Sequence, residues 1–471
     1  MKKIIISLLT VSLFVLLFPL STGATEDKTV FYLDYGNVTI GDGSVSGYDE
    51  SGNLISETNP AGYVVTQKNP KTSLDKGITV ASGEQKLELK NINIYRKDEN
   101  AYAFCILKGA TADITLSGES RLMSGTYRAG MDVAIGATAI IGGDGILNAQ
   151  SFVEAGIGGG NGRSNGTVII NSGTVYASGG LDGSGAGIGG GSMGNGGNIT
   201  INGGYIVATG GKFGAGIGGG NLSNGGNITI NGGTVTAIGG DSASGIGGGF
   251  TGKGGNIVIN GGSVKATAGS NADSIGNGYK CNTAFDGIHN NNGNEVSLVT
   301  VPLSDYKSVY LNGINKSPIT AGHIDDSSLY LYSDINNNIA TAYMSDDSVK
   351  FFIYSKDGYY EINPFDEGER FENCLIVKDS ENFAVSNDFT IENNGGKYSL
   401  CYNEAVIDTF AAVEKGDLNR DGKKDGTDAV EALCVLSGMN TSKIAQKLAD
   451  ADDNGKLTSD DIELLINEGI Y

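Results

Sequence analysis

The pentapeptide GIGGG recurs at Gly156, Gly187, Gly216 and Gly245, spaced by 31, 29 and 29 residues. A fixed period of this size marks a repeat architecture, in which each unit buries its apolar side chains only against the copies on either side. After each GIGGG come two strand-like phrases: TVIINSGTVYA from Thr167, NITINGGYIVA from Asn198, NITINGGTVTA from Asn227 and NIVINGGSVKA from Asn256. Looser copies begin at Ile78, Cys105 and Ala129. Alternation with period two points Ile199, Ile201, Ile206 and Ala208 inward in one copy, and Ile228, Ile230, Val235 and Ala237 in the next. Ala186/Ile188, Ala215/Ile217 and Ile246 supply a third wall. Three short strands per repeat is what one coil of a right-handed parallel β-helix needs.

Glycine and proline usage agrees. More than half of the 76 glycines fall between residues 155 and 270, mostly paired at the expected corners, where a positive φ or close backbone approach is required. No proline occurs from Lys71 to Val301, as an unbroken hydrogen-bond ladder demands. The alternative, a disordered Gly-rich stretch, lacks regular aliphatic pairs. Asn171, Asn202, Asn231 and Asn260 hold one repeat position, so their side chains are expected to hydrogen-bond from coil to coil. A sugar or metal ligand role is the other reading.

The flanks differ from the array. Lys2 and Lys3 precede an apolar run from Ile4 to Phe18, then Pro19, with small residues Thr22-Gly23-Ala24 suited to cleavage. This reads as a signal peptide over residues 1–24 and predicts a secreted, extracellular or cell-surface chain without a membrane span of its own. The β-helix is expected over 25–295. Residues 296–410 carry VSLVTVPL, SVYLNGI, SSLYLYS, VKFFIYS and KYSLCYN, rich in Tyr and Phe; this reads as a β-rich domain, a sandwich or a cap on the solenoid. The formal charge of −21 disfavours nucleic acid as a partner. The odd set Cys105, Cys281, Cys374, Cys401 and Cys434 shows no zinc or redox spacing; Cys374 and Cys401 are candidates to pair, Cys105 and Cys434 to be buried thiols.

Two acidic twelve-residue loops, DLNRDGKKDGTD from Asp417 and DADDNGKLTSDD from Asp450, lie in the tail, 33 residues apart. Calcium takes hard oxygens from loop positions 1, 3, 5, 7, 9 and 12, with Gly at position 6 for the turn. The first loop offers Asp417, Asn419, Asp421, the Lys423 carbonyl, Asp425 and Asp428, and the second Asp450, Asp452, Asn454, the Lys456 carbonyl, Thr458 and Asp461. Both loops end in Asp rather than Glu. AVIDTFAAVEKG, before the first, is too β-flavoured for an entering helix. Exit helices are expected from Val430, Leu433 and Leu436 and from Ile462, Leu465 and Ile466.

This duplicated loop-plus-helix unit, at residues 411–471, resembles a type I dockerin. The resemblance implies a small all-α module holding two Ca²⁺ ions and docking onto a cohesin domain of a scaffold protein, as in a cellulosome. It also implies that loop positions 10 and 11, here Gly426/Thr427 and Ser459/Asp460, help select the cohesin. Because the two pairs differ, an interchangeable dual binding mode is in doubt.

LSGESRLMSG from Leu116 and the GAGIGGG/GGxITINGGxVxAxGG repeats resemble a family of secreted, Gly-rich β-helix proteins of the carbohydrate-binding or adhesin-like kind from anaerobic Gram-positive bacteria. That resemblance covers residues 25–128 and the array, and its architecture is similar to that of polysaccharide lyases. Three functions stay open: a noncatalytic carbohydrate-binding or adhesive component, with plant cell-wall polysaccharide as a possible ligand; a polysaccharide lyase; or a structural spacer. A lyase needs acidic and basic groups on one wall. Asp113, Glu119, Arg121, Arg128, Asp132 and Asp144 are the candidates, against single charges such as Arg163 in the regular array. His289 and His323 read as loop residues. Tyr176, Tyr205, Phe213 and Phe250 offer a shallow sugar platform, or else isolated surface aromatics.

Overall fold

The computed structural model describes residues 27–180, 182–311, 319–320, 327–336, 338–346, 349–362, 389–394, 397–402, 405–411, 416, 418, 426–439, 449–451 and 456–468. The described residues form a parallel β-helix of nine coils with three walls. The first wall stacks nine strands, from Thr29–Tyr32 to Asn256–Ile259, and the third stacks nine, from Val38–Ile40 to Ile275–Gly276. The second has seven, from Asn93–Tyr95 to Ser263–Thr267, so coils three to nine carry a strand in every wall. In-register parallel pairing aligns equivalent letters of successive repeats: Ile199 with Ile228, Val175 with Ile206, Ile188 with Ile217.

Alternation delivers the core expected of it. Ile199, Ile201, Ile206, Ala208, Ile228, Ile230, Val235, Ala237, Ile188, Ile217 and Ile246 are all buried in one continuous cluster running from Phe31 to Val264, with Ala186 and Ala215 buried beside it. No single coil could exclude water from such a row, whereas each stacked pair removes both apolar faces from solvent. The second glycine of GIGGG shows why no other residue serves. Gly189, Gly218 and Gly247 have φ of 139°, 134° and 132°, and a Cβ on Gly189 would collide with the Gly218 carbonyl of the next coil.

The asparagine row forms the expected ladder. Nδ2 of Asn202, Asn231 and Asn260 donates to Oδ1 of Asn171, Asn202 and Asn231 at 2.8, 2.8 and 2.7 Å. The Asn291 amide ends it by donating to Asn260 Oδ1 at 2.7 Å. These side chains act along the axis as a second set of amides, so the role is structural.

Both ends of the solenoid are covered. A hairpin of Gly47–Tyr48 and Leu54–Ile55 folds over the first coil, where Ile55 packs on the core. At the other end Ser328–Ser333 lies against the last second-wall strand. The Tyr330 amide donates to Ser263 Oγ at 3.0 Å, the Lys265 ammonium sits over the Tyr330 ring, and Tyr332 packs on the solenoid core. Its burial pushes the Tyr332 phenol up to about 12. Ser328–Ser333 pairs with Ser297–Pro302, and a second sheet holds Tyr306–Leu311, Ile319–Thr320, Asn338–Met344, Val349–Ser355 and Gly358–Ile362. A separate apolar cluster including Val301, Val309, Leu331 and Phe352 joins the two sheets. A further three-stranded antiparallel sheet ends in Ala405–Ala411, in agreement with the absence of an entering helix.

In the tail, helices span Gly426–Leu436 and Ser459–Glu468. Their shared core is Ala429, Ala432, Ala449, Ile462 and Leu465. The expected stripe on the first helix is displaced by one residue: Ala429, Ala432 and Val435 face inward, while Val430, Leu433 and Leu436 are exposed, as is Ile466 on the second. Alanines let the two helices approach closely, so the small residues rather than the large ones take the interface. Cys105 is buried, but Cys434 is only half-buried. Cys374 and His323 lie outside the described residues. Among the described residues no helix is long and apolar enough to cross a membrane.

Candidate functional site

The regular coils are nearly featureless at the corner between the second and third walls; the chemistry gathers where coils three to five depart from the repeat. In the outward column of the third wall, Gly158, Gly189, Gly218, Gly247 and Gly276 are preceded by Thr79, Cys105 and Asp132. Asp132 points outward from its strand, since Met131 and Val133 fill the core, yet it is only 1% exposed. It lies close under Gly160 and the Tyr127–Arg128 backbone. Its Oδ2 has no hydrogen-bond partner. Burial pushes the carboxyl up to about 6, against the pull of Arg163 and Arg128. Beside it burial, together with the Asp132 charge, pushes the Cys105 thiol up to about 12, which leaves it inert as a nucleophile.

Around this acid stand Tyr102, Arg128, Glu154, Asn161 and Arg163. The Arg128 guanidinium lies 4.4 Å from the Tyr102 ring centroid, and its Nε donates to the Asn100 carbonyl at 3.2 Å. Arg163 Nη1 donates to the Tyr102 hydroxyl at 3.3 Å. Glu154 is fully buried and accepts from Asn161 Nδ2 at 3.0 Å and the Ser192 amide at 2.7 Å. Burial pushes its carboxyl above the usual carboxylate range, and those two donors oppose the shift. Glu154 therefore pins two loops, and its carboxylate is already engaged.

Of the six charged candidates read from the sequence, only Arg128 and Asp132 come together here. Glu119 and Arg121 pair on the second wall at 2.6 Å, Asp113 lies on the first wall, and Asp144 sits at a corner. Arg163 joins from the regular array. Glu154 was missed, although its signal is plain in hindsight: it occupies the place that Gly185 and Gly214 take two residues before the corresponding glycines of GIGGG. Tyr102 carries no such mark.

The aromatic candidates also divide. Tyr205 is buried, only 7% exposed, and meets Tyr176 edge-on at 6.2 Å, so this pair offers no open platform. Phe213 and Phe250 do meet, with centroids 5.7 Å apart, and Tyr279 extends the row at 6.3 Å from Phe250. The three rings are half-buried and come from coils seven, eight and nine. The backbone fixes them: the Phe250 amide donates to the Phe213 carbonyl and the Thr251 amide to the Tyr279 carbonyl. Lys212 and Lys280 lie over the end rings.

In the tail, the last residue of each acidic loop is a buried carboxylate. Asp428 Oδ1 accepts from the Leu418 amide at 2.7 Å, and Asp461 Oδ2 accepts from the Thr458 amide at 2.8 Å. Both are hard oxygens of the kind calcium takes as ligands. Asp450, Lys456 and Thr458 are described beside them; Asp417, Asn419, Asp421, Lys423, Asp425, Asp452 and Asn454 lie outside the described residues. Among the described residues no group of three or more acidic, His or Cys side chains stands together as a metal cage. Gly426, Thr427, Ser459 and Asp460 are exposed in the first turns of the two helices.

A family model described as a beta helix repeat matches residues 168–192, 199–221, 228–250 and 257–279. Each match runs through one strand of all three walls. Those residues carry a beta helix repeat, in agreement with the parallel β-helix of the structure. No curated protein and no solved structure matches it. Beta helix repeats are compatible with carbohydrate-binding and lyase-like proteins alike, so the choice rests on side chains.

Proposed function

We propose that this chain is a noncatalytic, secreted carbohydrate-binding component, held on a cohesin-bearing scaffold of the cellulosome type by a calcium-loaded dockerin tail. The row Phe213–Phe250–Tyr279 carries the binding half. Aromatic rings present large, rigid apolar faces, and one ring per coil along the axis suits an extended polysaccharide laid over successive coils. The rings are fixed before binding, so little conformational entropy is lost on contact. The lysines at either end supply donors for sugar hydroxyls.

For the tethering half, the support is the pair of loop-closing aspartates and the outward apolar residues Val430, Leu433 and Leu436 of the first helix, with Met439 just past its end. A contiguous apolar strip on an exposed helix marks a partner surface. Bound calcium would neutralise the loop carboxylates, Asp428 and Asp461 among them. A cohesin domain is the partner proposed for this face; Leu433→Ser should weaken its capture.

The polysaccharide-lyase alternative draws on one observation, the buried carboxyl of Asp132 beside two arginines. One experiment separates the readings: the secreted protein is incubated with pectins, xylans and cellulose, and pull-down is measured together with the ultraviolet signal of unsaturated ends. Pull-down without new ends, lost in Phe250→Ala, is the expected result. New ends would favour the lyase, and failure to bind any polysaccharide would leave only the spacer.

A further inference from the structure

We propose that Arg128 and Arg163, one over the ring of Tyr102 and one at its hydroxyl, form a subsite for the carboxylate of an acidic sugar, a uronate within an oligosaccharide crossing coils three to five. The uronate's being part of a glycan rests on the carbohydrate reading above; the anion site does not. It is distinct from the aromatic row, which lies on coils seven to nine.

Two like charges share one tyrosine in this site. Arg128 stacks on the ring and Arg163 donates to its hydroxyl. Among the described residues neither forms an ion pair, in a chain of net charge −21 that has acids to spare. Two guanidinium groups gathered on one tyrosine, with no acid in ion-pair contact, make a local positive patch that an incoming anion would relieve. Each guanidinium is a planar fork whose geometry matches a carboxylate. Arg128 spends its Nε on Asn100, which sets the plane and leaves both Nη groups to a ligand.

The surroundings favour a sugar over a bare anion. Tyr127, next to Arg128, is 39% exposed, and the exposed rings of Tyr95 and Phe152 meet edge-on at 6.1 Å along the same corner. An oligosaccharide placing a carboxylate between the arginines would have apolar ring faces for its neighbouring residues.

Beneath the arginines lies Asp132, whose buried Oδ2 has no hydrogen-bond partner. The charged and titratable groups facing it are Cys105, Arg128, Arg163 and Glu154, of which Glu154 is held by Asn161 and the Ser192 amide. Charged, Asp132 opposes an incoming carboxylate; protonated, it leaves both arginine charges to the ligand. Uronate binding should therefore strengthen as pH falls from 7 to 5, a range in which a sugar carboxylate with an ordinary acid constant stays ionised.

The test is isothermal titration of the full chain with tetragalacturonate, a glucuronate-bearing xylo-oligosaccharide, fully methyl-esterified tetragalacturonate and sodium sulfate, at pH 5 and pH 7. At least one acidic oligosaccharide should bind, with the ester and sulfate weaker by about tenfold or more. Arg163→Gln and Arg128→Gln should each lose about tenfold at unchanged far-ultraviolet circular dichroism, and Arg163→Lys should not restore the fork. Asp132→Asn should abolish the pH dependence. Equal binding of ester and acid, an unaffected Arg163→Gln, sulfate as tight as the oligosaccharide, or no binding of either acidic oligosaccharide would each overturn the proposal. If acidic oligosaccharides bind but neutral polysaccharides do not, the aromatic-row reading fails and this one stands.

Discussion

Substituting Asn231, in the middle of the asparagine ladder, tests whether side chains rather than the backbone alone lock adjacent coils. Its Nδ2 donates to Asn202 Oδ1 at 2.8 Å and its Oδ1 accepts from Asn260 Nδ2 at 2.7 Å. A net intramolecular hydrogen bond contributes about 0.5–1.5 kcal/mol, so losing two should cost about 1–3 kcal/mol in Asn231→Ala. The ladder is only part-buried, and water replacing the lost partners draws the value toward the lower half of that range. Asn171→Ala removes one rung, at Asn202, and should cost about half as much. Asn231→Asp should be worse than Ala, because a carboxylate cannot donate to Asn202 Oδ1 and sets acceptor against acceptor. Urea unfolding followed by far-ultraviolet circular dichroism reads these differences as midpoint shifts at common slope. Ser270→Ala, at an exposed loop position, is the control and should stay within about 0.5 kcal/mol. If Asn231→Ala behaves like the control, or Asn231→Asp is milder than Ala, the ladder does not hold the coils together and the reasoning is refuted.

Two further outcomes follow from the buried carboxylates. The Asp132 carboxyl is raised to about 6 from its ordinary 3.8, so between those values the folded chain binds a proton that the unfolded chain has lost. Its contribution is favourable at low pH and is lost as pH rises through about 6. Asp132→Asn should therefore flatten stability across that window and be more stable at pH 7 by about 1–3 kcal/mol, read from unfolding midpoints at several pH values; an unchanged slope would contradict the burial argument. In the tail, chelating calcium should reduce helical circular dichroism of the full chain, and Asp417→Ala combined with Asp450→Ala should abolish cohesin capture while leaving β-helix unfolding unchanged; capture by the double variant would remove the dockerin reading.

The solenoid was legible because its information is periodic. Ile199, Ile201 and their equivalents announce an inward face, and parallel in-register stacking places identical letters in contact, so the asparagine row could be foreseen as bonded. What stayed hidden depends on distances between corners. Tyr279 stands where Phe250 stands one coil earlier, but its repeat reads SIGNGY rather than GIGGGF, and nothing local says that Phe213 of a different corner approaches Phe250. Asp132 could be counted among the charged residues of the early coils, and Glu154 could have been added as a large acid where later repeats carry Gly185, Gly214 and Ala243. Functional chemistry tends to collect where local rules are broken. The first tail helix misled for a different reason: a rule that seeks large apolar residues overlooks Ala429 and Ala432, whose small size is what lets the second helix pack there, leaving Val430 and Leu433 outside.

The central claim, that the Phe213–Phe250–Tyr279 row receives polysaccharide, can be read directly because the chain contains no tryptophan. Tyr279→Trp places the sole indole in the row. Titration with soluble arabinoxylan, mixed-linkage glucan, galactomannan and pectin should produce, for at least one of them, a saturable blue shift that Phe250→Ala removes. Emission unchanged by every glycan, or a shift that persists without Phe250, would contradict the account.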